Sequence, residues 1–489
     1  MMIDSFQDII KRLKIDTNFT SDITCRKKMV CGKVIYIIYN EPLTSSDKIS
    51  DFVIRSLDYI HHHYDSNDNL NDIIMNEIDN SKISMIYSYE ELCYFIHNGF
   101  TILLVEGCQN YFALETRRNL ARGISSPQTE NALRGAMDSF VEDMQTNIGL
   151  IRRRIKDNSL WIKSIEVGRY TKTIVNIFYI HGICHEKLVT YVEKKIKAID
   201  IDGILSSGWI KNFIEKENKS VFPTVLSTER PDKVCQALLN GRIVVMADCS
   251  QFALILPVVM NDLFTSVEDG FGKSINISIT RIIRYMAFFI TLFTPAVYLA
   301  LTTYHSEILP TRLLISFAYQ RASVPFPTFV EAIIMSFAFE ILRECDLRSP
   351  TFTTSALSTV GALILGEAAV NAGIVSPIMI IVIALTSLSA LIFTEPEMTN
   401  GLRWYRLLYM LGAIFMGIIG ILIVFIYMII HLCSLESFDV PYFTPFSPLS
   451  VIGLKNSVIK YPAKDLNKRL KYFSNNLFKY RDKEGEKND

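Results

Sequence analysis

The chain has 489 residues, with 50 lysines and arginines balanced by 50 aspartates and glutamates, and 49% of its residues are hydrophobic. A net charge of zero argues against a protein built to hold nucleic acid, and the chain is long enough for more than one core. The average hides two unlike halves, because the first 280 residues carry most of the charge and long apolar runs follow.

The opening MMIDSFQDIIKRLK lacks the uninterrupted apolar core of a signal peptide, so the N-terminal half is expected to stay on the side where it is made. Val34 to Ile38 reads as a strand and Ile49 to His62 as a helix; the same order returns at Val175 to Ile180 and Lys187 to Ala198. A longer correspondence joins LCYFIHNGFTILLVEGCQNYFAL, from Leu92, to VCQALLNGRIVVMADCSQFAL, from Val234. Asn98-Gly99 matches Asn240-Gly241, and Glu106 matches Asp248. Each copy reads as a helix closed by a left-handed glycine, then a strand, an acidic turn and a second strand. The spacing predicts two related α/β subdomains.

Between the copies, Arg118 to Asp157 reads as a glycine-bearing turn followed by a charged helix. Ser125 or Ser126 can cap that helix, with Pro127 in its first turn. Phe140, Met144, Ile148, Ile151 and Ile155 form its apolar stripe, while Glu142, Asp143, Arg152, Arg153 and Lys156 stay polar. The stripe fits a helix packed between the subdomains with solvated charges. The sharper alternative, less favoured by these residues alone, is an assembly surface on which Arg134 and Arg152 to Arg154 meet acids of a neighbouring subunit. One basic cluster without interleaved aromatics gives little reason to expect nucleic acid.

After residue 280 the chain changes solvent. A charge-free run from Tyr285 to Thr303, entered through Arg281 and Arg284, reaches about 30 Å as a helix, the thickness of a bilayer's hydrocarbon core. Pro350 to Gly366, Ala368 to Thr394 and Leu407 to Leu435 are three further candidate spans. Phe329, Ile333, Phe337 and Ile341 recur at helical spacing opposite Glu331, Glu340, Arg343 and Glu344, which predicts an amphipathic helix on or partly within the membrane. The basic tail, Lys460 to Arg481, favours a cytoplasmic C-terminus and an even number of crossings. Four spans would leave Arg403 and Arg406 at the outer face. Glu367, beside Gly366 and near Gly361, is the one acid expected inside the membrane and is therefore a pore candidate.

The motifs resemble the A subunit of the GerA family of spore germinant receptors, whose hallmark reads RGISEPQTE, a spacer, RGP, and FVEDLRTNISLIRRRIK. This chain keeps Arg122, Gly123, Pro127, Gln128, Glu130, Arg134, Glu142, Asp143, Arg152, Arg153 and Arg154 of it, with TERPDKV from Thr228, EILREC from Glu340 and GALILGEAAVNAGIVSP from Gly361. It departs at Ser126, for an acid, and at Ala136-Met137, for Pro-Arg. The resemblance implies a component of the spore inner membrane; with the basic tail and the missing signal peptide, the expectation is a multi-pass subunit with both termini on the core side. It would work with a transporter-like B subunit that senses the nutrient and a lipoprotein C subunit, as a homo-oligomeric, pentameric, nutrient-gated cation channel. An accessory paralogue that amplifies ion release and a non-conducting scaffold are the alternatives.

The expected organisation is an α/β subdomain at 1–115, a linking helical segment at 116–160, a second α/β subdomain at 161–270, an α-helical multi-span membrane domain at 271–436 and a basic tail at 437–489. No catalytic, cofactor or metal site is expected. The string GFGKS at Gly270 lacks the first glycine of a phosphate loop. His181, Cys184 and His185 straddle a turn, and nine cysteines contain no CxxC pair.

Overall fold

The computed structural model describes residues 6–18, 20–64, 70–80, 82–106, 111–118, 127, 129–130, 135–215, 220–348, 366–393, 395–462 and 469–474. Two compact units emerge: Met1–Glu217 with Val225–Val258 and Asn467–Asp489, and Asn218–Thr224 with Val259–Leu466.

The first unit runs α1 (Phe6–Asp16), β1 (Ile23–Val30), β2 (Lys33–Asn40), α2 (Arg55–His63), α3 (Leu70–Glu77), β3 (Ile83–Ile86), α4 (Tyr89–His97), β4 (Phe100–Val105) and β5 (Tyr111–Glu115). It continues through α5 (Met144–Arg154) into β6 (Leu160–Val167), β7 (Thr173–Ile180), α6 (Glu186–Lys197), α7 (Ser207–Ile214), β8 (Leu226–Thr228), α8 (Pro231–Leu239), β9 (Ile243–Ala247) and β10 (Ala253–Leu256). Two antiparallel sheets result, ordered β1-β2-β4-β5-β3 and β6-β7-β9-β10-β8. The strand order is the same in both, as the duplicated sequence predicts.

β4 is buried along its whole length because helices cover both faces of its sheet. Val53, Leu57 and Ile60 of the α2 region pack with Ile35, Ile37 and Leu103 on one face. Ile9, Leu13, Leu92 and Ile96 of α1 and α4 meet Ile38, Ile102 and Leu104 on the other. Burying each such side chain stabilises the fold by about 1.5–3 kcal/mol. Gly99 and Gly241 close α4 and α8 at φ of 80° and 89°. A Cβ there would also stand 2.7 Å from the Leu43 carbonyl oxygen and 2.6 Å from that of Phe473, so glycine is required twice over. The acidic turns are equivalent too: Glu106 N–H donates to the Val34 carbonyl and Asp248 N–H to that of Ile174, each at 2.9 Å.

The second unit is helical: α9 (Ser274–Thr303), α10 (Thr311–Arg321), α11 (Thr328–Arg348), α12 (Pro377–Ala390), α13 (Pro396–Met416) and α14 (Ile418–Ser434). Among the described residues, α9 alone is long and apolar enough to cross a membrane by length and composition. The expected span from Pro350 lies outside the described residues up to Gly366. The run Ala368 to Thr394 is interrupted after its first turn, with Gly373 at φ 64° and Pro377 starting α12. The run Leu407 to Leu435 is two helices. Gly417, at φ 61° and ψ −133°, breaks it, in a region of backbone space that side-chain-bearing residues avoid.

The break makes a tight hairpin. Phe293 of α9 packs on Tyr409 of α13 at 4.8 Å, and the Tyr304 hydroxyl, just beyond α9, donates to the Ile414 carbonyl at 2.7 Å, so α9 and α13 run parallel. Tyr405 faces His431 at 6.2 Å, which makes α14 antiparallel to both. A Cβ on Gly412 would come 2.8 Å from the Gly420 carbonyl oxygen; the two glycines permit this approach. Tyr442 accepts from Met260 N–H at 2.8 Å. Chain enters and leaves the bundle at the same end.

Candidate functional site

In the first unit, two motifs far apart in sequence lock together. Glu229, 2% exposed, takes hydrogen bonds from the Thr129 backbone N–H (2.5 Å) and hydroxyl (2.8 Å). Its neighbour Arg230, 1% exposed, donates to the carbonyls of Glu130 and Ala136, both at 3.0 Å, and pairs with Asp232 at 2.7 Å. Glu130 accepts from Lys233 at 2.8 Å and from the Thr228 hydroxyl at 2.9 Å. Each charge is answered, which is the condition for burying so many polar groups. The arrangement fixes where Thr129 and Glu130 sit.

The linking helix is shorter than its sequence suggests. Asp143 caps α5 by accepting from Thr146 N–H at 2.9 Å, and residues 135–143 before it are non-helical. The five expected apolar residues, Phe140 to Ile155, are all buried. Arg152 is buried as well. Its Nε and Nη2 grip Asp22 at 2.7 and 3.1 Å, and Nη1 donates to the Asp157 carbonyl at 3.1 Å. Asp22 also accepts from Thr20 at 2.6 Å and Asn40 at 2.8 Å. Burial raises its pKa, but Arg152 and these donors outweigh that and hold the carboxyl below its ordinary value. Nearby, His97 is 2% exposed. Burial, reinforced by Arg152, lowers its pKa to about 4, so the ring is neutral at pH 7.

In the second unit, burial is inverted. Phe337 of α11 and Ile381 of α12 are each 66% exposed and Ile430 of α14 is 62% exposed, while Glu331 is 0% and Arg406 8% exposed. Asp269 binds Arg281 at 2.8 Å and Arg284 at 3.0 Å, and Arg281 also donates to the carbonyls of Asn456 and Ser457 at 2.8 and 2.9 Å. This ties the start of α9 to the segment after α14. Glu331 takes the N–H and hydroxyl of Ser376 at 3.0 and 2.9 Å, with Arg321 at 3.7 Å. Farther along α11, Glu340 pairs with Arg403 at 2.6 Å.

Several expectations need correction. Arg152 is neither solvated nor available to a neighbouring subunit, because Asp22 holds it. Arg154 pairs within the chain, with Asp138 at 2.6 Å, leaving Arg153 as the exposed member of the cluster. Glu142 and Asp143 are exposed; Pro127 is buried and Glu130 partly so. Arg122, Gly123, Gln128, Arg134 and Gly361 lie outside the described residues. Glu367 is exposed beside the partly buried Gly366 on the helical turn 366–371.

Glu331, expected on the polar face of an amphipathic helix, is fully buried. Arg403 and Arg406 precede Tyr409 on a helix parallel to α9, so they lie toward the end that holds Arg281, where the chain enters. The structure adds Asp22, Glu229 and Arg230 to the site; the last two stand in the TERPDKV match, and no local pattern marks Asp22. His181 stacks on Trp161 at 3.9 Å, and His185 contacts the Lys471 carbonyl at 3.0 Å.

Comparison with known proteins places these features in a family. The Bacillus/Clostridium GerA spore germination protein profile matches residues 10–472. Spore germination protein KA of Bacillus subtilis (strain 168) is 42% identical over 77% of this chain and 69% of its own length. The membrane protein YfkQ of the same organism is 33% identical over 95% of this chain and 90% of its own. The N-terminal domain of the A subunit of the Bacillus megaterium spore germinant receptor GerK3, solved by crystallography, is 31% identical, covering 53% of this chain and 97% of that one at a TM-score of 0.42.

Proposed function

Because the chain belongs to the GerA family of spore germination proteins, we propose that it is the multi-pass membrane subunit of a nutrient-responsive germinant receptor and acts as an oligomeric cation channel of the spore inner membrane. The observation that carries the membrane reading is the inverted helical unit. A water-soluble bundle hides its isoleucines and shows its charges, whereas this one shows Phe337, Ile381 and Ile430 and hides Glu331 and Arg406. The chain enters and leaves the bundle at one end, which supports an even number of crossings and both termini on the core side. With Leu407 to Leu435 folded as a hairpin, Arg403 and Arg406 fall on that same side and accord with the retention of basic residues there.

Glu367 supports the conducting reading. A carboxylate exposed on the surface of this unit is costly in lipid, so it faces water or a neighbouring copy. A B subunit senses the nutrient and a lipoprotein C subunit completes the receptor. The α/β unit holds the oligomer together and biases the gate, and Arg153 is the member of its basic cluster that can meet a neighbour. The test is potassium release from vesicles containing this chain, with and without its B subunit. Release that needs the B subunit supports the receptor, release without it favours an accessory channel, and none in either case favours a scaffold.

A further inference from the structure

We propose that Arg343 of α11 and Arg403 and Arg406 of α13 form a binding site for the phosphate headgroup of an anionic phospholipid. The three guanidiniums lie within one another's electrostatic reach, with Glu340 among them and Glu344 beside Arg343. Glu340 engages Arg403 at 2.6 Å. Among the described residues, neither Arg343 nor Arg406 donates a side-chain hydrogen bond. Arg406 is 8% exposed, and its Nε and that of Arg403 are buried without a partner. Three cations thus face two carboxylates, one of them exposed. A buried guanidinium with unused donors calls for an oxyanion, and its planar fork matches phosphate oxygens.

The surroundings select a lipid over a free ion. On α13, Trp404, Leu408 and Leu411 are exposed next to the arginines; on α11, Phe337 and Ile341 are exposed next to Glu340 and Arg343. Acyl chains can cover these residues while the headgroup turns inward, and the exposed indole suits headgroup depth. The site lies toward the end of the bundle with Arg281, Arg284 and the following basic segment. Basic pockets between membrane helices on the cytoplasmic side are suited to anionic headgroups.

The inference rests on the helical unit lying in a bilayer, so the test separates the two. Full-length protein is reconstituted into phosphatidylcholine nanodiscs, and retained phosphatidylglycerol is titrated by native mass spectrometry. Phosphatidylglycerol is expected to bind in preference to phosphatidylcholine. Arg343→Gln and Arg406→Gln should each weaken it about fivefold, at about 1 kcal/mol per arginine, while exposed Arg312→Gln on α10 leaves it unchanged. If Arg406→Gln does not fold, Arg343→Gln and Arg403→Gln carry the comparison. Insertion without preference for phosphatidylglycerol, or equal binding by the arginine variants, overturns the site alone. Full displacement of the lipid by millimolar inorganic phosphate identifies a free-phosphate site and overturns the lipid assignment. Failure to insert into phosphatidylcholine overturns the membrane reading and this site with it.

Discussion

Replacing Arg152 with glutamine should destabilise the α/β unit severely, because the change strands a buried carboxylate. The Arg152 and Asp22 side chains are 1% and 0% exposed, so water cannot take over the lost contact. Thr20 and Asn40 would remain on Asp22 but neither brings a positive charge. Removing one partner of such a pair costs about 3–5 kcal/mol. In a unit of this size that corresponds to a fall of roughly 6–20 °C in melting temperature.

The pH dependence carries the same signature. In the wild type Asp22 has a lowered pKa, so its contribution is present above the ordinary carboxylate range and is lost as pH falls through the folded value. In Arg152→Gln the cation is gone, Asp22 protonates more readily, and the stability gap to wild type should narrow as pH falls toward about 4 and further below it. Thermal unfolding of the detergent-purified full chain, read by protease susceptibility of the α/β unit, measures both. Adding Asp22→Asn to Arg152→Gln should recover part of the loss. A single variant within 2 °C of wild type at pH 7 would refute the reasoning.

His97 should make the α/β unit acid-sensitive: with a folded pKa of about 4 against about 6.5 unfolded, stability declines as pH falls from 6.5 to 4, by up to roughly 3 kcal/mol. His97→Gln should flatten that slope in the same melting assay, and an unchanged slope would assign it elsewhere. Gly417→Ala puts a Cβ 2.8 Å from the His305 ring nitrogen in left-handed backbone, so it should destabilise the α13–α14 hairpin by at least about 1 kcal/mol; equal heat resistance of the helical fragment to proteolysis would argue against a tight turn. Glu367→Gln should leave assembly intact and lower cation conductance or alter its selectivity, and unchanged single-channel behaviour removes Glu367 from the conduction path. A cysteine at Tyr319 should react with an impermeant thiol reagent from outside intact cells, above the background of native thiols, whereas one at Lys455 should not; the reverse result would invert the topology.

The duplicated fold was legible because Asn98-Gly99 and Asn240-Gly241 each demand a left-handed cap, and the runs after them are apolar enough for central strands. β1 was not, since Cys25, Arg26 and Lys27 stand exposed in succession on an edge strand and erase its alternation. Arg152 carried a weak signal, sitting four residues after Ile148 and three before Ile155 and so on the buried stripe. Its partner is 130 residues away and could not be inferred. The helical unit is less legible for a different reason. Hydropathy sums a run of residues and does not register one glycine in an unusual conformation, so the hairpin at Gly417 passed as a single span. It also does not say which face of a helix looks outward: Glu331 stands on the polar face of an amphipathic pattern, yet it is the opposite, apolar face that is exposed.

The central claim is that this chain conducts cations under the control of a receptor. Purified full-length protein reconstituted with its B subunit into potassium-loaded phospholipid vesicles should release potassium when the triggering nutrient is added, and Glu367→Gln should slow that release with assembly unchanged. Vesicles that hold the assembled, inserted complex yet keep their potassium under every nutrient condition that germinates the corresponding spores would contradict the account.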